Sequence, residues 1–341
     1  MKGSHMARSC SWVLAALALL GVYGFGGGAE RTDTEYRLLK TIKLGGEGSW
    51  DYLSMDPDGR RLYIARGNRI MVVDVDDGKL VGEIANTPGV HGLALDTKRG
   101  QGFTSNGGDS TASIVDLKTL KEKTRIKVGK GPDFITYDPA SERAFTFNAG
   151  GKDATAISGV TGQVDGSVEL GGRPEAAIAD EKGMVYVNIV DKHAVVAFDA
   201  KNLKVVSRWP IAPAKTPVGI AIDKTKRRLF VTCRGDSPAM VIMNADSGKI
   251  LSSLPIGKGT DAAAFDPATG LAFSSNGGDA NVTVVEEAKA GEFRVAGNVN
   301  SQSGAKTMAL DTKTHNLYLV TAKGTGKQQE PGSFVLLVVG K

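Results

Sequence analysis

Cysteine is almost absent from this chain: Cys10 and Cys233 are the only two in 341 residues. Cys10 precedes the first apolar stretch instead of following it, which argues against a lipid-bearing cysteine. Once a leader containing Cys10 is removed, Cys233 stands alone. No internal disulfide can then form, and stability must come from burial and from closure of the fold. There is no Cys-x-x-Cys-His site for covalent haem, and no triad motif surrounds Cys233. Runs of five or more Lys/Arg are missing too, and 42 basic against 37 acidic side chains leave a net charge of only +5. A dedicated duplex-binding surface is therefore not indicated. The two Asn-Gly-Gly-Asp segments, at 106–109 and 276–279, are not phosphate loops. They lack the following Lys-Ser/Thr and the strand–loop–helix setting.

The N-terminus reads as a secretory signal peptide over residues 1–29. Lys2 and Arg8 supply the positive region, Trp12 to Leu20 the apolar region, and Gly26-Gly27-Gly28-Ala29 the small residues for cleavage. The apolar run is too short to span a bilayer comfortably, so no transmembrane segment is expected in the mature chain. Gly3-Ser4-His5-Met6 resembles a cloning remnant. Removing residues 1–29 leaves 40 basic against 37 acidic side chains, a charge of +3. The expected location is periplasmic or extracellular.

Residues 30–341 carry a repeat. Asp56, Asp96, Asp138, Asp180, Asp223, Asp266 and Asp311 recur at intervals of 40, 42, 42, 43, 43 and 45 residues. A fixed period of this size predicts an all-β, seven-bladed β-propeller with four-stranded blades. Around Asp56 the unit is four short strands, here called a to d, each ended by a turn. Asp56-Pro57-Asp58-Gly59 separates a from b, Gly67-Asn68 separates b from c, and Asp76-Asp77-Gly78-Lys79 separates c from d. The recurrent Asp is expected to fix the a–b turn by bonding nearby backbone N–H groups. The last repeat stops after strand c. Tyr36 to Leu44 resembles the other d strands, so an N-terminal strand should complete the last blade and remove an open sheet edge.

The phrases Ala94-Leu95-Asp96, Arg61-Leu62-Tyr63-Ile64, Val72-Val73-Asp74 and Ser247-Gly248-Lys249 with Ile256-Gly257 resemble the YncE-like, YVTN-repeat propellers, from about Tyr36 to the C-terminus. The resemblance implies an exported seven-bladed propeller. It also brings single-stranded DNA binding, redox cofactors and lactone hydrolysis into view, since members or related propellers have been linked to each. The Gly-His…Trp-Asp signature of WD repeats and the longer kelch period fit less well.

Function is expected at one mouth of the central channel. Five residues before each recurrent Asp stand Asp51, His91, Asp133, Glu175, Val218, Asp261 and Lys306. Strand a is innermost in a propeller, so these positions should rim one opening. The b–c loops should open on the same face, bringing Asn106, Asn148, Asn188, Asn276 and His193 to the rim. His315, on an a–b turn at the opposite face, is expected to be solvent-exposed. Clustered carboxylates repel unless a cation, a proton or a basic neighbour offsets them. Asp51, His91 and Asp133 are the candidate ligands of a divalent metal, with Lys306 offsetting part of the charge. The plainer alternative is a water-filled mouth with solvated charges. The expected function is a monomeric binding or scaffold protein that takes a small molecule, metal or protein partner on this face. A metal-dependent hydrolase or redox-cofactor protein is the alternative. Nucleic-acid binding is the third reading, disfavoured by the acidic ring.

Overall fold

The computed structural model describes Met1, residues 35–324 and residues 329–341. The expected signal peptide lies outside these residues, apart from Met1. Among the described residues, twenty-eight strands pair into seven four-stranded antiparallel sheets. Blade 1 is typical, with strands Leu53–Asp56, Arg61–Arg66, Arg69–Asp74 and Leu80–Ile84 in the order a-b-c-d. The a strands of successive blades touch, and that of blade 7 (Met308–Leu310) touches that of blade 1, so the inner strands close a ring. This is the seven-bladed propeller that the repeat predicts. No helix among the described residues is long and apolar enough to cross a membrane.

The near-continuous apolar runs along the b and c strands have a clear consequence. Each blade is apolar on both faces, and seven buried clusters lie one between each adjacent pair of blades. Phe145 and Phe147 of blade 3, for example, meet Phe198 of blade 4. The d strands face outward and carry mostly exposed side chains, as in Lys121–Lys127.

Blade 7 closes as expected. Strand Arg37–Lys43 pairs antiparallel with Val335–Gly340, the outermost C-terminal strand. Most of its own side chains are exposed, so its anchors are its ends. Tyr36 is buried among blades 6 and 7, and its hydroxyl donates to the His315 carbonyl at 3.0 Å. At the other end Ile42 and Leu44 pack into the blade 7–blade 1 cluster.

All seven recurrent aspartates accept backbone N–H groups in their a–b turns. In four blades the residue four positions later is a non-glycine in the left-handed region: Arg60, Glu142, Arg227 and His315. Its side chain reaches the preceding blade. Arg60 bonds Asp311, Arg227 bonds Asp180, and Glu142 receives Arg99 of blade 2. His315 places Nδ1 2.9 Å from Asp266 of blade 6 and is half-buried, so it is not the solvent-exposed residue expected. The reason is local. The turn geometry that seats the aspartate also throws this side chain sideways onto the neighbouring blade's aspartate.

Candidate functional site

The start of each a strand lies at one mouth of the channel, and three of the ring positions converge there. His91 Nδ1 stands 2.6 Å from Asp51 Oδ2 and 3.1 Å from Asp133 Oδ1. The imidazole of blade 2 thus bridges carboxylates of blades 1 and 3. One ligand atom from each residue lies within 4.8 Å of the others, the spacing of donors around a single cation. Backbone bonds hold the frame. Asp51 N donates to the Ala65 carbonyl at 3.1 Å, Tyr52 N to the His91 carbonyl at 3.0 Å, and Thr307 Oγ1 to the Asp51 carbonyl at 2.9 Å. The Gly107 loop presses on the imidazole, since a Cβ there would stand 2.7 Å from His91 Nε2. Asn-Gly-Gly-Asp is ordinary turn material, which is one reason for that glycine. The seat of His91 is a second reason for it.

On the other side of the ring stands a second constellation. Asp261 is almost fully buried, with Oδ1 on Arg234 and Oδ2 on Lys306 Nζ at 2.7 Å. Arg234 Nε also donates to the Thr260 carbonyl at 2.6 Å. Arg234 follows directly on strand Arg228–Cys233, at the start of an Arg-Gly-Asp turn. Its role as a ring cation comes from the end of strand b, not from the a-strand spacing. Val218, the one apolar ring position, is buried, and its carbonyl accepts from Asn188.

Tyr52 forms the floor beneath this ring. Its ring meets Phe134 edge-on at 4.6 Å and packs against the blade 4–blade 5 cluster, so it reaches across the channel from blade 1. Its hydroxyl lies 3.5 Å from Glu175 Oε1. Below, the channel continues as a cavity of about 390 Å³ lined largely by apolar inner-strand side chains such as Leu93, Ile135 and Ile220.

The electrostatics follow from partial burial of like charges. Burial raises the Asp51 carboxyl, although the His91 hydrogen bond and the Lys306 charge oppose that. Burial, then Asp133 and Asp261, lift Glu175 to about 7. Burial alone would lower the His91 imidazole, but the Asp51 hydrogen bond and the nearby carboxylates outweigh it, so it is raised. Burial and then Asp261, Glu175, Asp51 and Asp133 push the Tyr52 hydroxyl well above its ordinary value. The whole cup is one coupled electrostatic unit.

The loop residues are placed differently from expectation. Asn106, Asn148, Asn188 and Asn276 are fully buried, not at the rim. Asn106 Nδ2 donates to Thr111 Oγ1 and Ser113 Oγ, Asn148 Nδ2 to Thr155 Oγ1, and Asn276 Nδ2 to Asn281 Oδ1 and Thr283 Oγ1. Asn188 Nδ2 donates to the Val218 and Gly219 carbonyls and ties blade 4 to blade 5. A buried amide must be paired, and strand c supplies most of the partners. His193 is exposed, and its Nδ1 accepts from Thr216 N at 3.1 Å. Cys233 is buried, and burial pushes its thiol up to about 12, which leaves it unsuited as a nucleophile.

Comparison with known proteins supports the fold class. Hydrazine synthase of Kuenenia stuttgartiensis superposes with a TM-score of 0.72 at 17% identity, over 82% of this chain and 95% of the matched one. The WD40 repeats of RRP9 superpose with a TM-score of 0.74 at 10% identity, over 89% and 96%. No protein-family model matches the chain, and neither does any curated protein sequence. At these identities the likeness is one of architecture: the protein is a seven-bladed β-propeller.

Proposed function

We infer that this propeller is an exported binding protein whose ligand site is the channel mouth, with a divalent cation held by Asp51, His91 and Asp133. The observation that carries this reading is the bridging of His91 Nδ1 between two carboxylates from different blades. One imidazole nitrogen and carboxylate oxygens form a donor set that suits a borderline or hard divalent ion. Export rests on the leader-like residues 1–29. The YncE-like resemblance belongs to the same reading. A hydrolytic role at the same site draws support from Glu175. Its carboxyl stands 3.5 Å from the Tyr52 hydroxyl in the same cup and would be available as a general base if a metal supplied the hydrolytic chemistry.

Calorimetric titration of residues 30–341 with Mn²⁺, Zn²⁺ and Ca²⁺ tests the cation. Tight 1:1 binding of at least one ion is expected, weakened about 10- to 100-fold by Asp133→Asn with the melting temperature of the apoprotein little changed. Absence of binding by all three ions would remove this reading.

A further inference from the structure

The charge of the ring is not evenly spread. Blades 1 to 4 contribute Asp51, Asp133 and Glu175 with His91, whereas blades 5 to 7 contribute Arg234 and Lys306 with Asp261. On that second side one carboxylate, Asp261, gathers both cations. Asp261 is only 4% exposed, while Arg234 and Lys306 are each 39% exposed. The buried carboxylate therefore works as an anchor from below, and the two cationic tips stand at the mouth.

Their donors are also undersupplied with acceptors. Among the described residues, Lys306 has Asp261 as its one side-chain partner, and Arg234 has Asp261 and the Thr260 carbonyl. Arg227, a clasp residue on the opposite face, bonds Asp180, Asp246 and Tyr186 at once. Arg227 is thus nearly saturated, whereas Arg234 at the mouth retains N–H groups for something else. Thr307, the residue after Lys306, donates from Oγ1 to the Asp51 carbonyl at 2.9 Å. The cationic side and the Asp51–His91–Asp133 cluster are therefore parts of one cup, closed beneath by Tyr52.

Resting on the reading of the cluster as a cation site, we propose that the ligand is a small oxyanion, a carboxylate or a phosphate, seated by Lys306 and Arg234 next to the bound cation. A planar guanidinium beside an ammonium gives an oxyanion charge-assisted hydrogen bonds, and a second oxygen of the same group completes the coordination of the ion. A neutral or cationic ligand would leave the two basic tips without a role.

The test uses residues 30–341 with succinate and, separately, inorganic phosphate as probes, each titrated with and without Mn²⁺. Binding of at least one probe, strengthened by Mn²⁺, is expected. Succinate alone points to a carboxylate ligand, and phosphate alone to a phosphate ester. Lys306→Gln and Arg234→Gln should each weaken the probe about tenfold or more, with Mn²⁺ affinity much less affected. Lys306→Arg should retain binding. Lys130→Gln, which removes an exposed lysine from the blade 2–blade 3 connection, should change nothing. Melting curves confirm that each variant is folded. If Mn²⁺ binds but neither anion does, or anion binding survives both Gln substitutions, the oxyanion proposal fails while the cation site stands. If Mn²⁺ itself does not bind, the underlying reading fails first.

Discussion

Asp56 and Asp311 occupy equivalent places in adjoining blades, yet the protein depends on them unequally. Asp56 accepts one turn amide, from Gly59, and is partly exposed. Asp311 is fully buried, accepts from Lys313 N and Thr314 Oγ1, and pairs with Arg60 of the next blade round the ring. Asp311→Ala should therefore cost about 2–4 kcal/mol, because it strands the Arg60 contact and two donors. Asp56→Ala should cost less than about 1 kcal/mol. Urea unfolding of both variants checks the difference, and equal losses would mean that the clasp contributes nothing. The two ends of the ring also respond oppositely to pH. Burial raises the Asp311 carboxyl, but Arg60, Thr314 and Lys313 outweigh it, so its pKa is lowered. That stabilisation is present above the unfolded carboxylate range and fades as pH falls. Glu175 is raised from 4.5 to about 7, so its contribution is full below about 4.5 and is lost as pH rises towards 7. Glu175→Gln should thus be near-neutral at pH 4.5 and stabilise by roughly 2–3 kcal/mol at pH 8. A melting-temperature difference that does not grow across that interval would contradict the assignment.

At the scale of elements, the closing strand shows how little of a strand's value lies in its own face. Arg37–Lys43 is largely exposed, and what it secures is the edge of Val335–Gly340. Its energetic weight sits in Tyr36, which meets Phe273 of blade 6 at 5.1 Å, and in Ile42 and Leu44. Truncating one buried aromatic of this kind costs about 3–5 kcal/mol. Deleting residues 30–44 removes all three anchors and the strand pairing together. The deletion should lower the melting temperature by far more than trimming the exposed turn at Ala288 to Gly291. An unchanged melt would show that the ring does not need this closure. Strands a to d were legible from β-branched runs and turn residues, and the donor strand from the likeness of Tyr36 to Leu44 to the other d strands. The sideways reach of Arg60, Arg227 and His315 was not, because a left-handed turn residue carries no mark in a sequence beyond its place four after the aspartate.

For the whole molecule, the ring converts a one-dimensional spacing into a two-dimensional arrangement. Positions about 42 residues apart become neighbours around one axis, and this is why Asp51, His91 and Asp133 could be grouped before any coordinate was known. The same ruler misplaced the four asparagines. It assigned them to the correct end of each strand b but could not tell that their side chains turn into the blade, where strand c and the next blade offer partners. It also passed over Arg234, which enters the ring from a different strand.

The sequence by itself determined the number of blades, the strand order, the closure and the level at which Asp51, His91 and Asp133 lie. All of these follow from local patterns: β-branched runs, turn chemistry at the aspartates, and a repeat that can bury its apolar faces only by stacking on its neighbours. Only the tertiary structure decided which side chains meet. His91 bridges Asp51 and Asp133, Asp261 gathers Arg234 and Lys306, and Tyr52 floors the cup. Those contacts depend on side-chain direction and on distances across a channel. Both arise from how seven twisted sheets pack in a ring, and no single segment of the chain encodes them.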